Sequence, residues 1–121
     1  MVRVKRPILN DIPLELPAGC AEKNEFPVNG ASRELAEESG IVIKDLERFT
    51  PMPPLATSPN RNPILMYVFQ VNLSQQEFDQ RLPHDDEIES VQCISLKHAA
   101  HMIVTGEIYV TLPAAVIGNY L

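Results

Sequence analysis

Residues 27–40 are marked out as one helix, and most of what this chain can be follows from it. Pro27 suits a first helical turn, where its missing N–H has no bond to lose, and Gly40 is a natural C-terminal stop. Val28, Ala31 and Leu35 recur at helical spacing and form an apolar face. Glu34, Glu37 and Glu38 stand at i, i+3 and i+4, so another face carries three carboxylates. Like charges this close repel unless a cation lies among them. Hard oxygen donors completed by water suit Mg²⁺ or Mn²⁺, ions that bridge phosphate oxygens and lower the pKa of a bound water. Clustered glutamates are also what an ordinary solvated helix face looks like. Gly30, inside the helix, costs about 1 kcal/mol relative to alanine, so packing must hold the helix in place.

The spacing around the helix decides between the metal site and the solvated face. Gly19 is followed six positions on by Glu25, and eight positions after that by Arg33-Glu-Leu-Ala-Glu-Glu-Ser-Gly-Ile41. This pattern resembles the Nudix box, the loop–helix–loop of hydrolases that cleave diphosphates linked to another moiety. The resemblance implies an α/β chain, a Nudix-type α/β/α sandwich in which a mixed β-sheet lies between the box helix and C-terminal helices. It makes Glu34, Glu37 and Glu38 catalytic residues that bind Mg²⁺, with Mn²⁺ as a substitute. Glu25 and Arg33 would pair to hold the loop against the helix, while Gly19 and Gly40 would permit the backbone angles at the two loop turns.

Flanking residues narrow the branch. Val2-Arg-Val-Lys-Arg-Pro7 and Leu14-Glu-Leu-Pro-Ala-Gly19 resemble the ADP-ribose and ADP-sugar pyrophosphatases. Carried over by position, Arg6 would contact substrate and the Ala18 carbonyl would help bind metal. Thr57-Ser-Pro59 resembles the Ser-Pro that this branch places after the box, about three residues later than usual. Among the acidic residues Asp86, Glu87 and Glu89, Glu87 is the choice for the catalytic group that such enzymes draw from a later loop, although these residues also read as a solvated acidic loop. The implied reaction is hydrolysis of a nucleoside diphosphate derivative, with ADP-ribose giving AMP and ribose 5-phosphate. The alternatives are a Nudix hydrolase of nucleoside triphosphates or dinucleotides, and a non-catalytic nucleotide-binding module. The resemblance also implies N-terminal strands, and the expectation is that they are lacking ahead of residue 2. A fragment is therefore one expectation, and a homodimer whose partner completes the sheet is another.

The remaining sequence sets bounds. At 121 residues, positions 1–121 read as a single domain. A net charge of −6 argues against a basic nucleic-acid face. Cys20 and Cys93 give neither a disulfide framework nor metal-ligand spacing, and no apolar run approaches a membrane span. These features point to the cytoplasm. Strands are expected over 2–5, 12–16, 41–43, 64–73 and 90–95, with helices over 96–105 and 111–120. The 64–73 strand is apolar enough to be buried on both faces, placing Tyr67 and Phe69 in a core. Residues 50–63 hold five prolines and read as a loop with extended pieces. His84 reads as a loop residue. His98 and His101, three apart with no third ligand in sight, read as structural or surface residues.

Overall fold

A computed structural model describes residues 1–121, which divide into two compact units: Met1–Pro17 with Asp85–Leu121, and Ala18–His84. In the first unit, alternation builds the sheet. Strand β1 (Val2–Val4) buries Val2 and Val4 and turns Arg3 outward, where its guanidinium donates to the Ile12 carbonyl at 3.2 Å and to Glu107 at 3.0 Å. Strand β2 (Leu14–Glu15) pairs antiparallel on one side of β1 with Val2 opposite Glu15. The strand over Ile88–Val91, β5 in chain order, pairs on the other side with Val2 opposite Val91. Val2, Val4 and Ile88 form one cluster. Leu14 packs instead with Ala99 and Met102 of helix α3 (Leu96–Val104), with Ile108, and with Ile117 of helix α4 (Thr111–Gly118).

In the second unit, helix α1 (Pro27–Ser39) begins and ends where the proline and glycine require. Val28, Ala31 and Leu35 pack against buried Ile41, Ile43 and Phe49. Gly40 is fixed twice over. Its φ is +75°, and a Cβ there would collide with the Leu82 backbone carbonyl, while Leu82 N–H donates to the Gly40 carbonyl at 2.8 Å. Helix α2 (Gln75–Asp79) starts with a capping box in which Ser74 and Glu77 satisfy each other's backbone N–H groups.

Several expectations need correction. Residues 41–43 alternate buried, exposed, buried but form no strand. Their backbone serves the helix instead: Ile41 N–H donates to Ser39 Oγ at 3.2 Å and the Ile43 carbonyl accepts from Ser32 Oγ at 3.0 Å. The proline-rich stretch contains a true strand, β3 (Thr50–Ala56), paired antiparallel with β4 (Leu65–Gln70). Proline is tolerated because these two strands form a two-stranded sheet and the register shifts between Met52 and Leu55, where Pro53 and Pro54 lie. In such a sheet β4 is not buried on both faces; Tyr67 is 62% exposed, whereas Phe69 does join the core. The α/β class holds, with antiparallel pairings in both sheets.

Candidate functional site

The site is built around one guanidinium. Arg33 projects from α1 and donates Nε–H to Glu25 Oε2 at 3.0 Å and Nη2 to Glu25 Oε1 at 3.1 Å, a two-pronged fork. A second Nη2 bond reaches the Cys20 carbonyl at 3.0 Å. Nη1 bridges Glu34 at 2.8 Å and Glu37 at 3.1 Å. These bonds account for all five donors of the side chain. Glu22 stands 3.7 Å from Nε, so four carboxylates face one cation.

Loop and helix are thereby stitched together, as the Glu25–Arg33 pairing anticipates. Glu25 also accepts from Glu22 N–H at 2.9 Å. The Arg33 hydrogen bonds first, then that backbone N–H, hold the Glu25 carboxyl below its ordinary pKa, and the same pairing pushes the Arg33 value up. Glu38 is 6% exposed, and its Oε2 accepts from the Ala18 N–H at 3.2 Å. The Ala18 backbone thus meets a box glutamate, through its N–H.

Two glycines act through space. A Cβ on Gly19 would fall onto the Glu34 carboxylate, so the loop backbone lies directly against that side chain. Gly19 does not have positive φ, in contrast to Gly40, so its role is close approach and not a special backbone angle. Gly30 was not singled out as a site residue, yet a Cβ there would sit 2.9 Å from Glu25 Oε1. The glycine lets the loop glutamate reach across the helix to Arg33. Its unfavourable helix propensity was the signal available in sequence. The Cys20 carbonyl had none, because any residue supplies a carbonyl.

A divalent ion would find hard oxygen donors here, and the Glu34 carboxylate is cradled by Gly19. In this arrangement no three His, Cys, Asp or Glu side chains converge closely enough to hold an ion, and Arg33 Nη1 bonds both Glu34 and Glu37. The donor set would fit such an ion if Nη1 released those two carboxylates. The Glu25 fork and the Cys20 carbonyl would still anchor Arg33.

Arg6 and Glu87 belong to the first unit. Arg6 forms a bidentate pair with Glu15. Glu87 is exposed at the turn before β5, with its carbonyl accepting from Lys5 N–H at 2.8 Å. His98 and His101 are exposed on α3.

A model of the NUDIX domain matches residues 1–112. The chain belongs to the Nudix family. The ADP-ribose pyrophosphatase of Bacillus subtilis (strain 168) is 34% identical over 110 residues, which cover 90% of this chain and 57% of that protein. The chain therefore spans little more than half the length of this curated relative, and its likeness is to the ADP-ribose pyrophosphatase-like branch of the Nudix family. Nudix hydrolases act on small nucleotide substrates and generally use divalent metal ions. No helix is long and apolar enough to cross a membrane.

Proposed function

We propose that residues 1–121 act as one Nudix domain that hydrolyses the pyrophosphate bond of a nucleoside diphosphate derivative, with ADP-ribose as substrate and Mg²⁺ as the ion. Water adds across the P–O–P bridge, giving AMP and ribose 5-phosphate. The observation that carries this reading is the Arg33 cluster: a two-pronged fork to Glu25, with Glu34 and Glu37 both on Nη1 of the same guanidinium. The similarity to an ADP-ribose pyrophosphatase supports the choice of substrate.

In this reading Glu34, Glu37 and Glu38 hold the ion with help from the Ala18 carbonyl. A bound Mg²⁺ neutralises phosphate charge and acidifies a water. Glu25 and Arg33 keep the loop in register with the helix, and Gly19 leaves the Glu34 carboxylate room against the loop. Arg6 binds a substrate phosphate oxygen through its guanidinium. Glu87 supplies the later acidic group of the reaction. A second copy adding to an open edge strand of the first unit is the assembly we propose, and the cytoplasm is the proposed compartment.

The test is product release from ADP-ribose, ADP-glucose, NADH, diadenosine polyphosphates and nucleoside triphosphates, with Mg²⁺ and with EDTA. Turnover that is led by ADP-ribose and abolished by EDTA is expected. Preference for triphosphates or dinucleotides would keep the hydrolase and discard the branch. Silence from folded, Mg²⁺-binding protein would favour a non-catalytic module. Glu38→Gln should remove turnover while leaving the fold intact; full activity in that variant would refute the metal-site assignment.

A further inference from the structure

We propose that Glu15 is a positioning residue whose buried carboxylate sets the orientation of the Arg6 guanidinium for a substrate phosphate. The inference rests on the function proposed above, in which Arg6 meets that phosphate. The pair is two-pronged: Arg6 Nε donates to Glu15 Oε2 at 2.8 Å and Nη2 to Oε1 at 3.0 Å. Its members are unequal in exposure, with 9% of the Glu15 side chain reachable by solvent against 47% of Arg6. A carboxylate so enclosed, paired with an arginine side chain that is only about half exposed, holds one edge of the guanidinium fork still.

The backbone beneath Arg6 is clamped as well. Arg6 N–H donates to the Asp11 carbonyl at 3.0 Å, closing a turn. Asp11 is itself fixed, its carboxylate accepting from Tyr109 Oη at 2.6 Å and from Ile12 N–H at 2.8 Å. Glu15 comes from β2, paired to β1 opposite Val2. Arg6 is therefore restrained at both its backbone and its guanidinium. Pre-organisation of this kind lowers the ordering cost of gripping an anion, because a free arginine side chain must first give up its rotamers.

Charge and orientation make opposite forecasts, which lets an experiment choose. A carboxylate against the guanidinium offsets its positive charge, so if Glu15 only neutralised Arg6, Glu15→Gln would tighten phosphate binding. If it orients Arg6, the same change weakens binding, since the amide cannot accept on both prongs. We expect Glu15→Gln to raise KM for the preferred panel substrate about tenfold, with the loss falling on KM and not on kcat. Binding of the same substrate in EDTA, where no turnover occurs, should weaken by a like factor. Glu15→Gln added to Arg6→Ala should cost nothing further.

Arg6→Lys keeps the charge, leaves Glu15 in place and cannot form the fork. It should lose binding by about the same factor, and it serves if Glu15→Gln does not fold. Unchanged or tighter binding in Glu15→Gln, or a fully active Arg6→Lys, overturns the inference while wild-type turnover keeps the proposed function standing. Wild-type protein that turns over no member of the panel refutes the proposed function, and this inference with it.

Discussion

Arg33 has no N–H left over, and that makes its partners interdependent. Glu25 takes two of the five donors, and those hydrogen bonds hold its carboxyl below its ordinary pKa. Glu25→Gln should lower Mg²⁺ affinity about 10–100-fold, the usual effect of removing a group that orients metal ligands. Calorimetric titration of the ion would measure it, and a change below twofold would show that the fork does not support the site. Gly19→Ala is predicted to act more directly. The added methyl occupies the place of the Glu34 carboxylate, so metal affinity should fall while the exposed loop leaves folding largely intact. Gly118→Ala is the contrast. Nothing lies near its Cβ position at the end of α4, and urea titration should show a gain of up to about 1 kcal/mol.

At the scale of elements, the second unit depends on stops and ties. Gly40→Ala meets both a left-handed φ and the Leu82 backbone, so a loss of about 3 kcal/mol in urea titration is expected. Arg48 ties α2 to the chain ahead of β3, donating to both Glu77 oxygens at 2.7 and 2.9 Å and to the Asn72 carbonyl at 2.7 Å. The Arg48 hydrogen bonds first, then the Ser74 N–H, bring the Glu77 pKa down from 4.5 to about 2. A carboxyl whose folded value is depressed stabilises the fold above its unfolded pKa and loses that contribution as pH falls toward the folded value. Acid titration of stability should thus lose the Glu77 share between pH 4.5 and about 2, and Glu77→Gln should flatten that part of the curve. The bounds of α1 were legible because Pro27 and Gly40 are local signals. β3 was not, since Pro51, Pro53 and Pro54 argue against a strand until a partner and a register shift are known. Residues 41–43 carried a strand's alternation, but Ser32 and Ser39 had already claimed their backbone groups. The capping box from Ser74 to Glu77 stood in the sequence and marks a five-residue helix, too short for periodicity to reveal.

For the whole molecule, charge and ion are coupled. A net charge of −6 includes the carboxylates gathered about Arg33, so a divalent ion should stabilise the native state and be felt throughout. At an Mg²⁺ concentration one hundred times Kd, the gain should be about 2.7 kcal/mol, reversed by EDTA and absent in Glu38→Gln. Denaturation with and without the ion measures it; equal curves would count against ion binding at the box. The spacing from Gly19 to Ile41 announced the box and its family, but not the pairing of Arg6 with Glu15, for two charged residues nine apart carry no register until β2 is placed. The course of the chain has a consequence for biosynthesis. One unit is an uninterrupted run, Ala18–His84, whereas the other joins Met1–Pro17 to Asp85–Leu121. On the ribosome the box can therefore assemble from contiguous residues, while β1 waits for β5, its neighbour at Val91, to be synthesised. During that interval Val2 and Val4 are without Ile88, the buried residue they cluster with, so a nascent chain stalled before Ile88 should hold that apolar cluster incomplete.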